Sequence, residues 1–156
     1  MNRDKQEIWV VSGATGQIAS FMIELLLRKN QKVVGLIRRS SIPSTERIDH
    51  LFGDSNFVRE YWDLNDCASI YSILSRYQPN YFLNFSAQSH VAVSFKVPQD
   101  TVNNVAMGPL RILDAIKLVS SHTKFFQASS SEMYGKNTIM PLNEESKMIP
   151  ASPYAC

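Results

Sequence analysis

The chain is poor in cysteine. Its two thiols, Cys67 and Cys156, have no metal-ligand spacing and cannot build a disulfide framework, so a reducing cytosol is the expected setting. It also lacks any apolar run near the roughly 20 residues that a membrane span requires. The opening residues 1–7 are polar and contain no apolar signal core. A membrane partner is therefore not expected, and the location is read as cytoplasmic. Charge of one sign is missing too: 16 basic against 14 acidic residues leave a net +2, which gives no basis for a nucleic-acid partner or an anionic surface. Internal repeats and low-complexity segments are absent. What remains is 156 residues, 44% hydrophobic and 19% charged, enough for one soluble domain with a real core.

The most informative stretch is Glu-Ile-Trp-Val-Val-Ser-Gly-Ala-Thr-Gly-Gln-Ile-Ala at 7–19. A β-branched and aromatic run reads as a buried parallel strand. Gly13 and Gly16 follow, where the chain must turn tightly and let backbone N–H groups approach a phosphate. Alone, two glycines do not separate a phosphate loop from any strand–turn–helix. A helix is expected over 17–29, with Ile18, Phe21, Met22, Leu25 and Leu26 as its apolar face and Asn30 as its stop. A second buried strand over 32–37 completes a βαβ unit. It ends in Arg38, Arg39, Ser40 and Ser41. An acidic residue at this place suits the ribose hydroxyl of NAD, whereas arginine and small hydroxyls suit the 2′-phosphate of NADP. A solvated basic strand end is the plainer alternative.

Further strands are expected at 57–62, 81–85 and 124–128, with a helical turn at 47–51 and a loop carrying Pro43 before them. A helix over 66–77 points Ile70, Ile73 and Leu74 inward, with Asp63 or Asn65 as its cap; Asp63 equally suits an adenine contact. A long helix over 98–120 is assigned Val102, Val105, Leu110, Leu113 and Ile116 on one face and a break near Gly108-Pro109. His90, a loop histidine, is read as bonded to backbone rather than catalytic. Ser129-Ser130-Ser131-Glu132 lies at the end of the last strand, where open α/β sheets bind ligands, and is either an acid/base site or a serine-rich turn. The rest, 136–156, reads as loop. The fold class is α/β: a Rossmann-like, doubly wound parallel sheet with helices on both faces, incomplete at its C-terminal side.

In order along the chain stand Ser-Gly-Ala-Thr-Gly-Gln at 12–17, Ile-Arg-Arg-Ser-Ser at 37–41, Arg-Ile-Asp-His-Leu at 47–51 and Ala-Gln-Ser-His-Val at 87–91. Leu-Arg-Ile-Leu-Asp-Ala follows at 110–115, then Gln-Ala-Ser-Ser-Ser-Glu-Met-Tyr-Gly at 127–135 and Ser-Pro-Tyr-Ala at 152–155. Together they resemble the extended short-chain dehydrogenase/reductases, and within them the GDP-mannose 4,6-dehydratase family. The resemblance implies an NADP-dependent lyase that converts GDP-mannose to its 4-keto-6-deoxy product, a first step towards deoxysugar nucleotides. It implies that Gly13, Ala14, Thr15, Gly16, Gln17 and Ile18 hold the pyrophosphate, and that Arg38, Arg39, Ser40 and Ser41 take the 2′-phosphate. Asp63 and Leu64 would lie by adenine, and Phe85, Ser86, Ala87, Gln88 and Ser89 along the nicotinamide ribose. Ser130, Glu132 and Tyr154 would be catalytic, and no metal is implied. Similar proteins reach a neighbouring subunit's cofactor through the double-arginine loop, which implies a homo-oligomer.

Several positions depart from the family pattern. Ile18 and Ala19 replace Asp-Gly, Pro109 replaces a threonine, and Asp100 stands where a cofactor-side tyrosine is usual. The lysine of the Tyr-x-x-x-Lys pair would fall two positions beyond Cys156. Residues 1–156 are thus expected to be the NADP-binding part, without the substrate-binding portion and inactive alone. Another nucleotide-sugar epimerase or dehydratase, or a non-catalytic NADP-binding module, is the alternative.

Overall fold

The computed structural model describes residues 6–42, 44–137 and 140–156; the polar opening residues 1–5 and Pro43 lie outside these. Five parallel strands form one sheet: β1 Ile8–Ser12, β2 Lys32–Arg38, β3 Phe57–Trp62, β4 Tyr81–Asn84 and β5 Lys124–Gln127. Their order is β3-β2-β1-β4-β5, so the chain winds outward from β1 in both directions. β1 pairs with β2 from Ile8–Lys32 to Ser12–Leu36, and with β4 from Trp9–Tyr81 to Ser12–Asn84.

Each central strand is apolar on both sides, as burial on both faces requires. Val10, Val34, Leu36 and Phe82 face one layer, which holds helices α2 Cys67–Tyr77 and α5 Gly108–Val119. Val11, Val33, Ile37 and Leu83 face the other, which holds α1 Gln17–Arg28. The sheet is doubly wound, as expected. Fully buried side chains such as Ile23, Leu74 and Phe82 each contribute about 1.5–3 kcal/mol by leaving water.

Helix ends follow local chemistry. Asn30 adopts φ 55° after α1, the left-handed turn that asparagine tolerates at a helix stop. The cap of α2 is neither Asp63 nor Asn65. Asp66 caps it, its carboxylate accepting from the N–H groups of Ala68 at 3.0 Å and Ser69 at 3.3 Å. The Asp63 carboxylate instead accepts from the Asn65 N–H two residues on, at 2.8 Å, which closes a local turn.

Two expected helix faces are rotated. In α1 the buried residues are Ala19, Ser20, Ile23 and Leu26, while Ile18 and Phe21 are 67% and 63% exposed and Leu25 is exposed as well. Eight of its twelve residues are apolar, more than one stripe holds, so periodicity alone does not choose a face. The small Ala19 does, because it lets the first turn approach the sheet closely. In the long helical region, α3 Val91–Ser94 and α4 Pro98–Val102 precede a π-turn at Asn103–Met107 and then α5. The break falls where Gly108-Pro109 predicts it. The wider π-turn shifts the register, so Thr101, Gly108, Ile112, Ala115 and Ile116 are buried and Val102, Leu110 and Leu113 are exposed. Gly108 lets this joint pack: a Cβ there would sit 2.6 Å from the Leu64 side chain.

After β5 the chain makes a 3₁₀ turn at Ser131–Tyr134, and among the described residues that follow there is no regular helix or strand. Cys67 and Cys156 are exposed and free. No helix among the described residues is long and apolar enough to cross a membrane.

Candidate functional site

A cavity of about 580 Å³ opens at the C-terminal ends of the strands, where the chain leaves β1 and β4 for opposite sides of the sheet. This is where open α/β sheets bind their ligands. Gly13, Thr15 and Gly16 form its floor. Gly13 has φ +65°, a conformation that favours glycine, and its Cα faces the Phe85 carbonyl. The Gly16 N–H donates to the Gly13 carbonyl at 2.8 Å, and the Ala14 N–H to the Leu36 carbonyl at 3.1 Å, which tightens the turn onto β2. Gly16 then starts α1 with no side-chain cap, so the first N–H groups of the helix are left for an anion.

Arg38 lines the cavity at the end of β2, and Asp63, Leu64 and Asn65 line it after β3. Phe85, Ser86, Ala87, Gln88 and Ser89 form the wall after β4. Of the residues singled out for a cofactor, Ala14 is buried in the core beneath the loop, and Gln17 and Ile18 are exposed at the start of α1. Arg39, Ser40 and Ser41 are exposed beyond the cavity lining.

Ser130, Glu132 and Tyr154 do not line this cavity. Ser130 accepts from the Glu132 N–H at 3.2 Å and so caps the 3₁₀ turn. Glu132 is exposed, and Tyr154 is half-buried in a turn that Ser152 closes by accepting from the Ala155 N–H. Among the described residues no hydrogen bond joins Tyr154 to Ser130 or Glu132.

Other lining residues are not singled out by the sequence, except Asp100, which stands there as a departure at a cofactor-side position. Leu36, Ile37 and Trp62 look like plain strand residues, yet they line the cavity. Asp100 and Asn104 reach it from α4 and the π-turn, and the Asn104 amide donates to the Asp100 carboxylate at 3.0 Å. An α-helical period does not place these two together with the β4 exit. Arg47, which the sequence places in a helical turn and a family motif but in no site role, donates to the Thr15 carbonyl at 3.2 Å and braces the glycine loop from outside. His90 is exposed; its own carbonyl accepts from the Gln88 amide.

A glycine-lined cavity at the switch point of a 3-2-1-4-5 parallel sheet defines a Rossmann domain. The UDP-Glc/GlcNAc 4-epimerase of Campylobacter jejuni has the same fold, with TM-score 0.87 at 22% identity over 96% of this chain and 45% of that one. So does the UDP-glucose 4-epimerase of Brucella ovis in complex with NAD, with TM-score 0.83 at 23% identity over 96% and 43%. The sequence is more specific. The family model of GDP-mannose 4,6-dehydratase matches residues 10–156. The chain is 43% identical to the GDP-mannose 4,6-dehydratase of Vibrio cholerae serotype O1 over 96% of its own length and 42% of that protein. It belongs to the GDP-mannose 4,6-dehydratase family and spans about two fifths of the curated relatives it matches.

Proposed function

We propose that the whole protein is an NADP-dependent GDP-mannose 4,6-dehydratase, which removes water from GDP-mannose to give GDP-4-keto-6-deoxymannose. The observation that carries this is the match of the family across residues 10–156, with the family's glycine loop at the floor of the cavity.

The residues present suit a dinucleotide. A side chain at Gly13 would fill the cradle, the helix start at Gly16 lacks a cap, and Arg38 supplies a cation at the rim. In this reading Gly13, Thr15 and Gly16 give the close approach, and Gln17 and Ile18 offer first-turn N–H groups to the pyrophosphate. Arg38 takes the 2′-phosphate with Ser40 and Ser41. Asp63 and Leu64 bound the adenine, and 85–89 bound the nicotinamide ribose. The exposure of Arg39, Ser40 and Ser41 fits a loop that also reaches a second subunit, so a homo-oligomer belongs to the proposal. When bound, the nicotinamide supplies a hydride acceptor and later a donor, which leaves the reaction with no net redox change.

The chain's own groups move the protons. Tyr154, as phenolate, accepts the proton of the sugar 4-hydroxyl. A free tyrosine has a pKa of about 10, so a neighbouring cation must stabilise the phenolate. The Ser130 hydroxyl donates to the 4-oxygen. Once C4 is a ketone, C5–H is acidic; Glu132 takes that proton and returns one to the departing 6-hydroxyl, acting as base and then acid. The proton taken at C5 leaves in the water; with a hydride equivalent returned to C6, C5 regains a proton that balances the one Tyr154 takes from the 4-hydroxyl, so the net change is loss of one water.

Incubation of the whole protein with GDP-mannose and NADP⁺ tests this by mass spectrometry. Loss of one water from the sugar nucleotide is expected. A product of unchanged mass and altered stereochemistry would replace dehydration with epimerisation.

A further inference from the structure

Three strand ends are joined by a polar relay that no catalytic or cofactor role accounts for. Ser12 closes β1, Asn84 closes β4 and Gln127 closes β5; Ser12 and Asn84 are 0% exposed. The Ser12 hydroxyl donates to Asn84 Oδ1 at 2.5 Å, and Asn84 Nδ2 donates to Gln127 Oε1 at 2.8 Å. Gln127 Nε2 donates to the Ala128 carbonyl at 3.0 Å.

The direction of the relay is set from one end. The Ala128 carbonyl can only accept, so the Gln127 amide nitrogen must face it. The Gln127 oxygen then faces Asn84 and can only accept, which turns Asn84 Nδ2 towards it. Asn84 Oδ1 is left to accept from Ser12 and from the Ser86 N–H at 3.2 Å. With its proton committed to Asn84, Ser12 Oγ accepts from the Phe85 N–H at 3.2 Å and the Ser86 N–H at 3.3 Å. Flipping any member sets two acceptors or two donors face to face, which is costly in a buried place.

Each member is followed by a segment of the site. Gly13 follows Ser12, the cavity wall 85–89 follows Asn84, and Ala128, Ser129 and Ser130 follow Gln127. We propose that Ser12, Asn84 and Gln127 are positioning residues that hold the phosphate loop, the nicotinamide-side wall and the Ser130 segment at fixed separations. Cofactor binding and turnover are thereby coupled through the sheet end. This rests on the NADP-dependent dehydratase reading. It goes beyond that reading because Gln127 lies outside the cavity lining, yet is assigned an effect on cofactor affinity.

The test uses the whole protein and four variants: Ser12→Ala, Ser12→Thr, Gln127→Ala and Gln127→Glu. NADPH affinity is read by fluorescence, and kcat and sugar-nucleotide KM by assay. Ser12→Ala and Gln127→Ala are expected to lower kcat by about tenfold to hundredfold, the range that small misplacements of reacting groups produce. Both also weaken NADPH binding, while KM stays within about twofold and the unliganded protein melts as a single transition. Ser12→Thr keeps the hydroxyl and restores both readouts. Gln127→Glu keeps the shape but puts an acceptor against the Ala128 carbonyl, and it behaves like Gln127→Ala. If Ser12→Ala does not fold, the half-buried Gln127 variants decide alone. Gln127 variants with wild-type NADPH affinity and kcat overturn the proposal. A wild-type protein that binds no NADPH instead overturns the reading beneath it.

Discussion

The backbone of Gly13 lies so close to that of Phe85 that a Cβ at Gly13 would sit 3.0 Å from the Phe85 carbonyl oxygen. The same residue has φ +65°, which costs a side-chain-bearing residue about 1–2 kcal/mol. Gly13→Ala therefore carries two penalties, strain in the turn and a push against the cavity wall. A loss of about 1–3 kcal/mol in urea unfolding is expected, together with weaker NADPH binding. Unchanged stability and affinity would mean that the loop relaxes without cost.

In the proposed function, Arg38 is the residue that divides NADP from NAD. It lines the cavity at the end of β2, where a carboxylate would suit a ribose hydroxyl. A hydrogen bond to a charged group contributes about 1.5–3 kcal/mol, so Arg38→Ala should weaken NADPH binding about tenfold or more. NADH lacks the 2′-phosphate and should bind within about twofold of its former affinity. Raising the salt concentration should narrow the gap in the wild type. Equal losses for both dinucleotides would remove the case for NADP at this position.

Arg47 acts on the loop instead. Its guanidinium donates to the Thr15 carbonyl at 3.2 Å, and Thr15 lines the cavity. Because that bond braces the glycine loop proposed to hold the pyrophosphate, Arg47→Ala should weaken NADPH and NADH alike, each by about threefold to tenfold, the worth of one exposed charge-assisted bond. The ratio of the two affinities, read by isothermal titration, separates this from the Arg38 effect.

How much was legible follows from which forces are local. The strand 57–62, the strand expected at 124–128 and found at Lys124–Gln127, the stop at Asn30 and the break before Gly108-Pro109 rest on β-branched and aromatic residues, left-handed asparagine and proline chemistry, all written in neighbouring residues. The buried faces of α1 and α5 were not legible. The apolar residues of α1 are too many for one stripe, and a π-turn at Asn103–Met107 shifts the helical register before Gly108-Pro109 by an amount that the sequence does not show. The cap passed from Asp63 or Asn65 to Asp66 because Asp63 is taken up by the Asn65 N–H, while Asp66 stands next to the first turn and reaches the N–H groups of Ala68 and Ser69. At the site, the glycine loop, Arg38 and the segment 85–89 line the cavity and are visible as motifs, and Asp100 is visible as a departure at a cofactor-side position, whereas Asn104 and the reach of Arg47 to the loop arise by tertiary contact.

Tyr77 predicts an alkaline limit to stability. Its hydroxyl donates to Glu60 Oε1 at 2.5 Å, and burial, then the Glu60 hydrogen bond and charge, raise its pKa above the usual tyrosine range, against a smaller opposing effect of Arg76. The folded state thus holds the phenolic proton more tightly than the unfolded state. The stabilisation is fully present below the unfolded value of about 10 and is lost as pH rises through the raised folded value. Urea midpoints should fall more steeply above about pH 10 in the wild type than in Tyr77→Phe, which lacks the titrating group. Parallel curves would show that the Glu60 contact survives ionisation.

Glu132 separates dehydration from simple redox at C4. A C4 epimerase needs no base for C5–H, whereas loss of the 6-hydroxyl needs one that afterwards acts as an acid. Glu132 is exposed, does not line the cofactor cavity, and is set by a turn that Ser130 caps, so its amide should neither unfold the protein nor disturb NADPH binding. Removing a general acid/base costs about 10²–10⁴-fold. In the whole protein, Glu132→Gln should release water from GDP-mannose slower by that factor. Exchange of solvent deuterium into C5 should fall with it, because the same carboxylate removes that proton. If deuterium enters C5 at the wild-type rate while water loss falls, another group is the base and Glu132 serves only the departing hydroxyl. If both rates persist, the dehydratase role of this carboxylate is gone, and the acid/base pair must come from elsewhere in the whole protein.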